Sequence, residues 1–190
     1  FDWYLAGGTA LALQLGHRTS LDFDFYSNEK LEDNKFLTPL RQSLPSIKIS
    51  RQTEDTLQGT VDGVNISVFY YPYPLVKKVV DFPPIQLASL EDIAAMKIVA
   101  IVQRAKQRDF WDMYYLTETL GVAVIMKCVY AKYPWYEENN QIVLRSLTYF
   151  DDADNDQEVD RVTIFDKNLR WTDVKENIRH EVKKYLEEMA

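Results

Sequence analysis

With 190 residues, 46% of them hydrophobic and 13% aromatic, the chain has enough apolar surface for a packed core, as one compact domain or two small lobes. No window approaches the ~18 to 20 uninterrupted apolar residues of a membrane span and no basic-then-apolar leader opens the chain, so a cytoplasmic protein outside the membrane is expected. The formal net charge of −7 excludes a broad basic coat for nucleic acid, which draws its affinity from many Lys and Arg contacts to phosphate, but leaves room for a local basic site.

Phe1 stands where a Met would begin a chain, and a strand-like run, Asp2 to Ala6, follows at once, so further residues upstream are expected. Gly7-Gly8-Thr9 then turns the chain into a short helix, Ala10 to Gly16. A turn of this kind aims backbone N–H groups and a hydroxyl at an anion, and glycine lets the backbone come close to a phosphate. Taken alone, Thr9 is equally a plain N-cap behind two turn glycines.

The next predicted strand, Ser20 to Tyr26, contains Leu21-Asp22-Phe23-Asp24-Phe25. Period-2 alternation sends Leu21, Phe23 and Phe25 to the core face and both carboxylates to the other. Two like charges about 7 Å apart on a sheet repel, and they resist desolvation unless a cation or a donor neutralises them. A divalent metal is the natural partner. A solvated edge, or pairing with Arg18, is the plainer alternative.

A helix at Lys30 to Leu44 precedes strands at Ile47 to Gln52, Thr56 to Val61 and Val64 to Tyr71. Asp62-Gly63 joins the last two as a hairpin turn, because both residues tolerate the positive φ that such a turn needs. Near residue 86 the character changes from strands to helices, which predicts a sheet-forming core over 1–85 and a helical C-terminal lobe over 86–190 that completes the site. Helical patterns run over Leu90 to Gln107, Phe110 to Thr119, Val122 to Lys132, Asn139 to Phe150 and Val174 to Glu188, and Ser89-Leu90-Glu91-Asp92 has the shape of a capping box with Asp in the closing place. The layout is α/β (α+β), a small mixed sheet with helices.

Lys97, Arg104 and Arg108 are 7 and 4 residues apart and fall on one stripe of the first of these helices, with Ile98, Ile101, Val102 and Ala105 on its apolar side. Lysine offers a compact charge to a triphosphate, arginine a planar fork. A solvated face competes with this reading, as does an ion-pair network of Arg104 and Arg108 with Asp109 and Asp112. Asp109 also suits the cap of the helix from Phe110.

Other features carry less. The acidic run Asp151 to Asp160 imitates an EF-hand loop but has Gln157 at the glycine position and Thr163 at the closing Glu, so it reads as a solvated loop. His17 and His180 have no metal-ligand spacing, and His17 is expected to contact a phosphate or end the short helix. The lone Cys128 reads as core filler and allows no internal disulfide. Phe69-Tyr70-Tyr71-Pro72-Tyr73 suits either base stacking or core packing.

Gly7-Gly8-Thr9 followed by Asp22-Phe23-Asp24 resembles the signature of the polymerase-beta-like nucleotidyltransferases. KIVAIVQRAKQRDFWDMYYL, Lys97 to Leu116, resembles the second motif of the AbiEii/AbiGii toxin family, and GVNISVFYYPYPL, Gly63 to Leu75, is similar to the stretch between that family's motifs. The resemblance spans roughly residues 5 to 116. It implies a small mixed nucleotidyltransferase sheet flanked by helices, and Mg²⁺-dependent transfer of a nucleotidyl group from an NTP to an acceptor hydroxyl. Asp22, Asp24 and Lys97 would be catalytic, with Asp22 and Asp24 on the metal. Gly7, Gly8, Thr9, Arg104 and Arg108 would bind nucleotide, with Arg18, Asp109 and Asp112 in support. The implied partners are the NTP, an RNA acceptor such as a tRNA 3′ end, and a separately encoded antitoxin protein.

The chain departs from the wider superfamily in one respect. The neighbouring strand that should offer a third carboxylate reads Asn65-Ile66-Ser67-Val68-Phe69, and Asp62 lies in the turn. That leaves one firmly held Mg²⁺ or a different general base. It also keeps open a non-catalytic binding module on the same fold, while the negative net charge suits an antibiotic- or protein-modifying transferase with a cationic acceptor.

Overall fold

A computed structural model of the protein describes residues 3–32 and 36–189. Its strands are β1 (Tyr4–Ala6), β2 (Asp22–Ser27), β3 (Lys48–Gln52), β4 (Thr56–Val61), β5 (Val64–Tyr70), β6 (Val80–Phe82) and β7 (Ile85–Leu87). Among the described residues they form one mixed sheet in the order β3-β4-β5-β2-β1-β7-β6. The middle of that sheet places the chemistry: β2 is antiparallel to β1 and parallel to β5, and β1 is parallel to β7. Asp62 and Gly63 both take positive φ, 50° and 84°, and close β4 onto β5 as a two-residue hairpin.

Two helices lie within the sheet-forming part, α1 (Gly7–Leu15) and α2 (Thr38–Ser43). Then follow α3 (Leu90–Arg104), α4 (Gln107–Leu120), α5 (Val122–Lys132), α6 (Trp135–Glu138), α7 (Asn140–Thr148), α8 (Asp151–Asp154), a 3₁₀ turn at Val159–Arg161 and α9 (Trp171–Met189). Ser89 caps α3 as expected: its Oγ accepts from the Asp92 N–H at 3.0 Å and donates to the Asp92 carboxylate at 2.8 Å. That carboxylate also accepts from the Val76 and Lys77 backbone N–H groups and from Lys132 Nζ at 2.8 Å, which ties the chain before β6 to α3 and α5.

Leu5 and Leu87 from the sheet, Leu11 from α1, Ile98 from α3, Phe110 and Leu116 from α4 and Ile178 from α9 belong to one core. Each such side chain contributes about 1.5 to 3 kcal/mol on burial. A second, smaller cluster of Phe36, Leu57 and Val68 packs with Leu31 and Leu37 against β4 and β5. Because the core is shared, α3 and α4 are held against α1 and β1, beside the strand carrying the two aspartates.

Several expectations are corrected. The predicted helix over Lys30 to Leu44 is reduced to Thr38–Ser43, with Pro39 in its first turn where the missing N–H costs little. Residues 33–35 of that stretch, like Asp2 of the first predicted strand, lie outside the described residues. The helix expected to reach Gln107 ends at Arg104, because Ala105 takes a left-handed conformation with φ 40° and donates its N–H to the Ile101 carbonyl. Arg108 therefore belongs to α4, and the basic stripe is built from two helices. Leu21, assigned to the core face, is 62% exposed.

Candidate active site

Asp22 and Asp24 leave β2 on the same face and line an open cleft with Gly7 and Gly8 of α1. Arg18, Lys97, Arg104 and Arg108 line it too, so the fold gathers most of the expected site residues. Thr9, Asp109 and Asp112 lie behind its surface.

The parallel register sets Asn65 beside Asp22 and Ser67 beside Asp24. Asp22 accepts from Asn65 Nδ2 at 2.9 Å on one oxygen and from Arg161 at 3.1 Å on the other. Burial pushes the Asp24 carboxyl above its ordinary pKa; the hydrogen bond with Ser67 opposes this, and the charge of Asp22 adds to it, while Lys97 and Arg104 give partial relief.

Glycine is needed at both positions of the turn. Gly7 has φ 67°, and a Cβ there would sit 3.4 Å from Asp24 Oδ2. A Cβ on Gly8 would overlap the Arg18 guanidinium. The N-terminus of α1 therefore opens beside the aspartates with no side chain between.

Thr9 departs from both readings made of it. It is the third residue of α1, Ala6 holds the N-cap position without a side-chain bond, and the buried Thr9 hydroxyl donates to the Asp22 carbonyl and shares a 2.8 Å bond with Ser20. The hydroxyl fastens α1 to β2 and does not face the cleft.

Under the cleft floor lies a closed ion network. Asp112, fully buried, receives Arg18 Nε at 2.6 Å and its NH2 at 2.8 Å, His17 Nε2 at 2.8 Å and Lys97 Nζ at 2.5 Å. Lys97 also meets Asp109 at 2.7 Å, and Arg104 Nε lies 3.4 Å from the other Asp109 oxygen. Burial alone would raise the Asp112 carboxyl, but Lys97, Arg18 and His17 together hold it well below the usual carboxylate range. Burial likewise opposes the charge on Lys97, and Asp112 with Asp109 more than restores it. Asp109 and Asp112 are thus the structural partners of the basic residues, and Asp109, expected to cap the helix, instead pairs with Lys97 from inside the first turn of α4, whose N-cap is Lys106. His17, expected at a phosphate or a helix end, hydrogen-bonds Asp112 in the core.

The acidic run is not simply solvated. Asp156 accepts from Lys106 Nζ at 3.0 Å and from the Gln107 N–H at 3.1 Å, and Glu158 pairs with Arg108 at 3.0 Å. Arg161, which follows, was not singled out from the sequence. The aromatic run divides: Phe69 and Tyr71 line the cleft, Tyr71 also bonds the Tyr133 hydroxyl, and Tyr73, 46% exposed, lies 4.9 Å from the Tyr133 ring.

Among the described residues no group of three or more His, Cys, Asp or Glu is placed to hold a metal. The donors on offer are Asp22 and Asp24, hard oxygens on one strand face, one of them with its pKa raised and both beside a turn without side chains. That arrangement fits a single Mg²⁺ whose remaining ligands come from phosphate and water.

Residues 64–188 match the family model described as nucleotidyl transferase AbiEii toxin, Type IV TA system. The uncharacterized protein aq_aa25 of Aquifex aeolicus (strain VF5) is 38% identical over 193 residues, which cover 98% of this chain and 89% of that one. MenT4, a nucleotidyltransferase toxin of Mycobacterium tuberculosis H37Rv, is similar in structure with a TM-score of 0.65 at 13% identity, covering 95% of this chain and 74% of that one. JHP933 from Helicobacter pylori gives 0.60 at 19% identity, with 98% and 86% covered. At such identities the solved structures establish the nucleotidyltransferase fold alone.

Proposed function

The chain belongs to the family of nucleotidyl transferase AbiEii toxins, and on that footing we propose that it moves a nucleotidyl group from an NTP to an acceptor hydroxyl with the help of Mg²⁺. The observation that supports this most is the meeting, in one cleft, of Asp22 and Asp24 with the glycine-opened N-terminus of α1. On this reading residues 1–85 form the transferase core, and residues 86–190 complete the site with Lys97, Arg104 and Arg108.

Asp22 and Asp24 would hold the ion. The chemistry an ion supplies there is neutralisation of the triphosphate and polarisation of the phosphoryl group under attack. The backbone of Gly7 and Gly8 at the helix start receives an outer phosphate. Arg104 and Arg108 grip phosphate oxygens from the facing wall. Lys97, held in place by Asp109 and Asp112, puts a fixed positive charge under the leaving pyrophosphate.

RNA, with a tRNA 3′ end foremost, is the acceptor class that the family membership suggests, with a separately encoded antitoxin as partner. The test is incubation with Mg²⁺ and each radiolabelled NTP, first with total RNA and then with total protein, with Asp22→Asn and Asp24→Asn as controls. Label on RNA that disappears in both variants supports the proposal; label on protein moves the acceptor class. Binding of Mg²⁺–NTP without any transfer favours a non-catalytic module, a reading supported by Asn65 and Ser67 standing beside the aspartates in place of an acid.

A further inference from the structure

The turn from Glu158 to Arg161 presents one anion and one cation to the two charge systems of the cleft. Arg161 NH2 lies 3.1 Å from Asp22 Oδ2. Glu158 Oε2 lies 3.0 Å from Arg108 NH1 and 3.5 Å from Lys106 Nζ. Arg161 and Glu158 also meet each other at 3.5 Å. Backbone bonds fasten the segment that follows: Thr163 accepts from the Thr19 N–H at 3.0 Å, and the Phe165 N–H donates to the His17 carbonyl at 3.0 Å. The turn is therefore anchored next to Arg18, at the edge of the cleft that Arg108 and Arg161 both line.

The oxygen of Asp22 that a metal would need thus carries a guanidinium, and the arginine that a phosphate would need carries a carboxylate. Resting on the nucleotidyltransferase reading, we infer that the Glu158–Arg161 turn is a place-holder for the metal–nucleotide pair. Glu158 stands where a phosphate meets Arg108, and Arg161 stands where the cation meets Asp22. Both give way when Mg²⁺ and NTP enter together, and Arg161 passes to a phosphate oxygen.

Magnitudes favour exchange over a permanent lock. The side chains of Asp22, Glu158 and Arg161 are 39%, 40% and 41% exposed, and ion pairs this open are weak. A polyphosphate offers arginine a stronger, bidentate partner. The buried Lys97–Asp112 pair has no such freedom. A consequence is cooperativity: metal alone has to displace Arg161, phosphate alone has to displace Glu158, and the pair releases both at once.

Calorimetric titration of Mn²⁺ alone and of inorganic tripolyphosphate alone, into the full chain and its variants, tests this without knowing which NTP is used. Arg161→Gln should tighten Mn²⁺ by roughly three- to fivefold and weaken tripolyphosphate added with Mn²⁺, whereas Arg161→Lys should stay near wild type. Glu158→Gln should tighten tripolyphosphate alone by a similar factor without tightening Mn²⁺. Both positions are exposed, and unchanged thermal midpoints will show that the fold survives. If Asp22→Asn abolishes Mn²⁺ binding while Arg161→Gln leaves it at the wild-type value, the place-holder fails and the active-site reading stands. If wild type and variants bind neither probe, both fail.

Discussion

Lys97 Nζ stands 2.5 Å from Asp112 Oδ2, with both side chains withdrawn from water. The lysine expected to be free for a triphosphate is held from behind, by the carboxylate that also fixes Arg18 and His17. On the proposed reading, a cleft charge held in this way would not follow the substrate, and so would favour one position of the phosphate over others.

Asp112→Asn should cost about 3 to 5 kcal/mol of stability, since it leaves Lys97 and Arg18 buried without their shared counter-charge. Urea unfolding measures it, with the exposed Asp151→Asn as a control expected within about 0.5 kcal/mol of wild type. Near-equal losses at the two positions would remove the network from the account of the fold.

Asp112 and Asp24, shifted in opposite directions, make opposite pH predictions. The folded-state pKa of Asp112 is depressed, so its contribution is fully present above the unfolded value of about 3.9 and is lost as pH falls toward its folded value. For Asp24 the folded-state pKa is raised, so its ionised form costs stability at neutral pH and the cost disappears on acidification below about 3.9. Asp24→Asn should therefore be more stable than wild type at pH 7 without metal, and equal to it near pH 3.5 or below. Thermal midpoints across pH 3 to 8 check the sign.

Gly8→Ala should lower stability by about 1 to 3 kcal/mol, as an overpacked site does, because the added methyl has to push the Arg18 guanidinium away from Asp112. Transfer should fall with it. Restoring activity by a second change, Arg18→Lys, would show that the clash and not the helix start is at fault.

Lys97→Ala and Lys97→Gln should each reduce transfer at saturating NTP by about 10² to 10³ and lower the thermal midpoint as well. Lys97→Arg should rescue partly, since a fork does not fit the space between Asp109 and Asp112 left by an ammonium. Lys106 lies beyond the end of α3 and pairs with Asp156 and Glu158, so Lys106→Ala should change stability little and rate little. Rates equal within a factor of two for Lys97→Ala and Lys106→Ala would remove Lys97 from the site.

The alternation in Asp22 to Phe25 and the Asp62-Gly63 turn are legible because both are local; the period fails at Leu21, which lies outside β2 and is exposed. The basic stripe was legible only in part. Ala105 ends α3 in a left-handed conformation without glycine or proline to announce it, so the spacing alone carries the helix past its true end to Arg108. Strands β6 and β7 are three residues each, too short for a period to show. Arg161 reaches Asp22 across 139 residues of sequence, with no motif around it, and only the folded chain brings the two together. The absence of an acid at Asn65 and Ser67 is plain in the sequence, but only the β2–β5 register sets them beside the two aspartates.

The bond between Arg18 and Asp112 also sets a schedule for synthesis. The glycine turn packs against Arg18, and Arg18 is held by a residue 94 positions later in the chain. At the usual ribosomal pace of about 5 to 20 residues per second, roughly 5 to 20 seconds separate the making of the two. Until α4 has emerged and folded back, Arg18 lacks the carboxylate that holds it against the glycine turn.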